Sequence, residues 1–206
     1  HIIYPGIFAA AKNLEYASTM SNIAVRLDPL DARNIGNLGW TSAMTGRFDV
    51  AAANFKRALE LNPHNPNSLI GCANGLAMSE DSNAGYELTK DAVASLPVLT
   101  PVQWAYVTST FCLSEQFDEC ANAALRAGNS LPTVQGFLTV ALALAGRVDE
   151  ARDAGQDFVQ NAQEKWQGEI APSRESICAW FVEHCPVRLE GKRDILRSGL
   201  HLAGLT

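Results

Sequence analysis

The residues of this chain best suited to chemistry are five cysteines, four histidines and a handful of neighbouring carboxylates. Cys178, His184 and Cys185 are the closest approach to a metal-ligating set. Their spacing puts the two thiols on one face of a helix, but at about 100° per residue His184 points away from them. The set reads as structural cysteines, and no metal or other cofactor is expected. Cys112 and Cys120 fall on two successive helical runs and so approach each other. An odd number of cysteines without a compact framework suits a reducing compartment, where both are small core residues. The histidines His1, His64, His184 and His201 are scattered, with no two of them one helical turn apart. Asp118/Glu119, Asp149/Glu150 and Asp153/Asp157 stand at helix starts or along solvated faces, where a carboxylate favours the positive end of the helix dipole. Gly-x-Ser-x-Gly, a phosphate-binding glycine loop, His-Glu-x-x-His and Cys-x-x-Cys are all missing from the sequence. Gly36-Asn37-Leu38-Gly39 lies inside a helical run, where glycine serves close packing. The sequence therefore predicts no catalytic residue and no enzyme.

Charge and length narrow the function further. Sixteen basic against 22 acidic residues leave a net charge of −6 over 206 residues, the wrong sign for a chain whose main task is to hold nucleic acid or an anionic membrane. The exception is local: Arg188, Lys192, Arg193 and Arg197 gather near the C-terminus, where they read as a solvated helix face. The longest apolar stretch, around 137–145, is far short of the ~20 residues that cross a bilayer. With no export leader and this cysteine usage, a cytoplasmic location is expected. The chain opens on His1 without an initiator methionine, so it is expected to be a fragment or processed chain with an upstream domain missing.

The elements that would position any site are set by a period. Pro29, Pro63, Pro97 and Pro132 lie 34, 34 and 35 residues apart. A fixed interval of that size marks a repeated helical pair. One turn recurs in register: Phe48-Asp49-Val50 returns as Phe117-Asp118-Glu119, and Thr45-Gly46-Arg47-Phe48-Asp49 as Ala145-Gly146-Arg147-Val148-Asp149. Gly46 ends a helix in the left-handed conformation, and Pro63 stops the next by lacking an amide donor. Gly39 and Ala51 are small where two helices must approach, and Phe55 and Leu59 form an apolar stripe one turn apart. The expected pairs cover about 30–63, 66–97, 101–130 and 132–163. They follow a partial pair at 1–29 and precede atypical capping helices at 164–206. In the cap, a loop over 166–173 leads to a helix that begins at Ser173, carries Ile177, Trp180, Phe181 and His184, and stops at Pro186. A last helix covers about 192–202.

Leu38-Gly39, Ala51, Phe55, Ala58 and Pro63 stand at the spacing of the tetratricopeptide repeat (TPR), which residues 30–163 resemble; Ile35 replaces the usual tryptophan and Ser42 the usual tyrosine. The resemblance implies an all-α protein, an α-α superhelix of about five hairpins with capping helices, that binds a peptide, a protein or an adjacent domain in a concave groove. First helices line that groove. By register it takes in Arg33, Asn37, Trp40, Met44, Asn67, Ile70, Asn74, Met78, Tyr106 and Ser109, with Phe137 and Val140 further on. Asparagine amides suit a peptide backbone, and methionine adapts to varied side chains. Only Arg33 is basic, so the set does not form a carboxylate clamp. The tail Arg193-Asp194-Ile195-Leu196-Arg197-Ser198-Gly199-Leu200-His201-Leu202-Ala203-Gly204-Leu205 resembles the closing segment of TPR regions in bacterial winged-helix transcriptional regulators and class III adenylate cyclases. That resemblance implies a regulatory role beside an effector domain. The alternative is a structural element that self-associates as a homodimer through its Trp180/Phe181 end.

Overall fold

The computed structural model describes residues 11–80, 82–166 and 172–206, with the side chains of residues 11, 12 and 67 outside that description. Residues 1–10 of the expected partial pair and most of the expected 166–173 loop also lie outside it. Every regular element among the described residues is a helix: α1 (Ala11–Leu27), α2 (Ala32–Met44), α3 (Phe48–Leu61), α4 (Pro66–Ser79), α5 (Ser82–Ser95), α6 (Pro101–Leu113), α7 (Phe117–Ala127), α8 (Val134–Leu144), α9 (Val148–Glu164), α10 (Arg174–His184) and α11 (Glu190–Leu202). They form two compact units. Unit 1 holds α1 to α5 and the segment Pro186–Arg188; unit 2 holds α6 to α11.

The recurring turn has a backbone cause. At the end of α2 the amide of Gly46 donates to the Ala43 carbonyl and that of Arg47 to the Ser42 carbonyl. The same pair of bonds ends α6 (Glu115 to Cys112, Gln116 to Phe111), α8 (Gly146 to Ala143, Arg147 to Leu142) and α11 (Gly204 to His201, Leu205 to Leu200). This is the Schellman closure, which satisfies the last carbonyls and requires a left-handed residue. Gly46, Gly146 and Gly204 supply it at φ of 74°, 81° and 77°; Glu115 adopts it at 62° without the freedom of glycine.

Helix starts are equally local. Asp31 caps α2 by accepting from the Arg33 amide, and Ser173 caps α10 by accepting from the Ser176 amide. Thr100 opens α6 in a reciprocal box: its hydroxyl accepts from the Gln103 amide at 3.3 Å, and its own amide donates to Gln103 Oε1 at 2.7 Å. Thr100→Ala should lower stability by about 1 kcal/mol, the usual cost of a lost cap, in urea denaturation.

In unit 1, α2 pairs with α3 and α4 with α5, and α4 rests on α2 and α3. Phe55 is the centre of this core, fully buried among Ala51, Ala58, Ile35, Cys72 and Leu76. Its ring lies where a side chain on either of two neighbouring helices would have to go. A Cβ on Gly39 of α2 would come within 2.7 Å of it, and one on Gly75 of α4 within 2.3 Å. Two glycines admit one phenylalanine.

Unit 2 repeats the scheme with α6–α7 and α8–α9, then departs from it. Phe181 of α10 enters the core, its ring edge-on to Phe137 at 4.9 Å and to Phe158 at 5.3 Å. Helix α11 packs along α8, with Gly199 so close that a Cβ there would meet the Val140 side chain at 2.7 Å. Leu205, carried past the closure of α11, sits against Gly155 of α9. The expected final helix exists and starts two residues earlier, at Glu190.

Candidate binding surface

Helix α2 carries a single charged residue, Arg33, and its polar positions recur at helical spacing. Arg33, Asn37, Trp40 and Met44 are four, three and four residues apart, so they fall on one face of the helix. None of the four is buried. Arg33 projects most, with 78% of its side chain exposed. Trp40 is half-buried because its ring also stands edge-on to Phe55 at 5.4 Å, so it joins the core to the surface.

At the N-terminal end of this face lies an open depression of about 470 Å³, lined by Asp28, Leu30, Asp31, Arg33, Leu61, Asn62 and Asn65. Asp31 is held there by Arg33: Nη2 approaches Oδ2 at 2.9 Å, Nε approaches Oδ1 at 3.3 Å, and the Arg33 amide donates to Oδ1 at 2.8 Å. The side-chain hydrogen bond from Arg33 keeps the Asp31 carboxyl below its ordinary pKa, and the same bond raises that of the guanidinium. Asp31 thus stays ionised, and Arg33 presents its remaining N–H groups outward. The chemistry offered is a run of hydrogen-bond donors and acceptors beside the apolar edges of Trp40, Met44 and Leu30. Leu30, two-thirds exposed, was not among the expected site residues; its place in the short loop before the Asp31 cap is the signal that marks it.

The other expected groove residues are placed differently. Ile70 is fully buried, and Asn74, Met78 and Ser109 are buried with it. Asn67 lies on α4, its side chain outside the described residues. The Ser109 hydroxyl donates to the Tyr106 carbonyl at 3.0 Å, a bond to its own helix. Tyr106 is mostly enclosed, and burial pushes its phenol up to about 12. Phe137 and Val140 face α10 and α11 of the same unit instead of a partner. The physical reason is common to all of them. Helices α4, α6 and α8 contain no charged residue at all, and most of their described positions are buried. That absence of charge was the signal in the sequence.

The thiols sit in the interior. Burial pushes Cys72 and Cys185 up to about 12 and Cys178 to about 11, so these remain protonated. Cys120 is raised as well, by burial first and then by its hydrogen bond with Cys112; its thiol lies 3.8 Å from the Phe137 carbonyl. Cys112 and Cys120 do meet across the α6–α7 hairpin. His184 stacks on Trp180 at the surface, and among the described residues no three His, Cys, Asp or Glu side chains converge on a metal position. The basic residues of the tail are taken up by acids: Arg193 and Arg197 pair with Glu190, Arg197 also with Asp194, and Lys192 with Glu115. No helix among the described residues is long and apolar enough to cross a membrane.

Residues 32–65, which include α2 and α3, match the family model described as Tetratricopeptide repeat. No curated protein matches the chain. Among solved structures, the chain is similar to one from the APC/C hetero-tetramer Cut9–Hcn1, with a TM-score of 0.62 and 15% identity over 93% of this chain. It spans 37% of the length of that protein. It is also similar to YrrB, a TPR protein with an unusual peptide-binding site, with a TM-score of 0.49 and 15% identity over 91% of this chain and 94% of that one. The first likeness fixes the fold class as an α-α superhelix.

Proposed function

We propose that this chain is a non-enzymatic protein-interaction scaffold that binds an extended peptide or protein segment along the exposed face of α2. The observation that carries it is the alignment of Arg33, Asn37, Trp40 and Met44 on one accessible face, in the repeat that matches the tetratricopeptide model. In that family the first helix of each pair is the one turned to a partner. Arg33 and Asn37 would bond the partner's main chain, and Trp40 and Met44 would cover its apolar side chains. The bound segment is short, since among the described residues the expected polar positions stay open on α2 and are buried on α4 and α6 at Asn74 and Ser109. The module serves as the regulatory part of a cytoplasmic bacterial signalling or transcription-regulating protein, a placement supported by the resemblance of the tail, which folds as α11. Self-association through Trp180 and Phe181 is the weaker reading, because Phe181 is buried in its own unit.

Selection from a displayed random-peptide library tests the proposal. The wild-type chain should enrich a peptide family that the triple variant Arg33→Ala, Asn37→Ala, Met44→Ala binds about tenfold or more weakly, a loss of roughly 1.4 kcal/mol. All three side chains reach solvent, so melting should change little. Equal binding by parent and variant rules the α2 face out.

A further inference from the structure

Three residues distant in sequence complete unit 1. Pro186, Val187 and Arg188 belong to it although the elements on either side of them, α10 and α11, belong to unit 2. The segment has no regular structure and the chain bends at Cys185 and Arg188, while the flanking residues keep β-region dihedrals, with φ/ψ of −67°/115° at Cys185 and −88°/121° at Leu189. It is held as a bound peptide would be. The Arg188 amide donates to the Met78 carbonyl at 2.9 Å, one of the last-turn acceptors that α4 cannot satisfy from within. The Arg188 guanidinium donates to Asp49 Oδ1 at 2.6 Å, in the first turn of α3. Val187, the residue before Arg188, is 1% exposed. One main-chain bond, one buried aliphatic side chain and one charge pair make a complete recognition grammar.

We infer that the end of α4 and the start of α3 form an acceptor position for a short irregular segment with an aliphatic residue followed by arginine, and that the chain's own Pro186–Arg188 occupies it. The inference extends the reading of unit 1 as a peptide-binding surface. Its contacts are separate from the α2 face, so each can fail alone. The anchoring charge is solvent-facing: 43% of the Arg188 side chain and 86% of that of Asp49 are exposed. A pair so open to water holds weakly and is screened by salt. A partner segment of the same chemistry therefore competes for Met78 and Asp49, and its arrival releases Arg188. The occupant sets a threshold concentration that a partner must exceed, because a tethered segment acts at a high effective concentration.

The test uses the whole chain and a fluorescein-labelled peptide, acetyl-Pro-Val-Arg-Leu-Glu-amide. Wild type should bind it weakly because the position is filled. Arg188→Glu repels the segment from Asp49, so the amide at 188 should exchange with solvent at least about tenfold faster and the peptide should bind at least about tenfold tighter. Adding Asp49→Lys to Arg188→Glu restores an internal ion pair of reversed sign and should return binding to the wild-type level. Equal affinity for all three chains overturns the inference. So does a position-188 amide that stays protected in Arg188→Glu, because the arginine then does not hold the segment. Unchanged far-ultraviolet circular dichroism in each variant shows that the fold is intact.

Discussion

Phe55→Ala is expected to cost about 3–5 kcal/mol, a large share of the roughly 5–15 kcal/mol that holds a domain folded. The ring is fully buried and is the piece around which α2, α3 and α4 are fitted. Removing it leaves a cavity that the walls cannot close, since Gly39 and Gly75 have no side chains to move inward. Trp40 loses its edge-on neighbour in the same step. A coupling measurement makes the test specific. Gly75→Ala should be damaging in the parent, where its Cβ would meet the ring at 2.3 Å, and much milder in the Phe55→Ala background. Chemical denaturation of the four chains gives both numbers. Additive effects would mean that Gly75 and Phe55 do not share the space assigned to them.

The second large effect is at Gly85. A Cβ there would lie 2.5 Å from the Ala77 side chain and 2.7 Å from the Ala77 backbone, so nothing flexible is available to yield. Gly85→Leu should cost about 3 kcal/mol by forcing α5 off α4. Gly71, on the same α4, has nothing within 4 Å of where its Cβ would be. Gly71→Ala should instead gain about 0.5–1 kcal/mol from helix propensity. Two glycines of one hairpin thus answer oppositely, and thermal unfolding of the pair reads it directly.

The helical hairpins were legible in the sequence because their ends are encoded locally. Gly46 and Gly146 fix left-handed closures, Pro63 and Pro97 follow second helices, and Ser173 caps α10 as its place before Ile177 and Trp180 suggests. Register also assigned Phe55, Gly39 and Ala51 to the core, since 3.6-residue periodicity reports which face is inward. The site was legible only in part. Periodicity identifies the face of α4 that carries Ile70, Asn74 and Met78, but not whether that face meets water. Covering α4 takes partners from other elements, at Met78 an amide more than a hundred positions away, and periodicity alone does not name them. The same applies to Phe137 and Val140, whose neighbours arrive with Phe181 and Gly199. Composition held the missing clue in the uncharged sequences of α4, α6 and α8. Trp40 shows why register alone is ambiguous, since it is half-buried and stands edge-on to Phe55.

Those uncharged inner helices limit how the molecule comes apart. In a repeat protein, one hairpin at an end commonly peels off while the others persist. Here, stripping α5 from α4 or α9 from α8 would bare a largely apolar helix with no charged side chain to hydrate. Opening at those two places is therefore expected to be costly, and the amides of α4 and α8 are expected to be among the slowest of their units to exchange with solvent. Damage that loosens α5 or α9 is expected to reach those protected amides first.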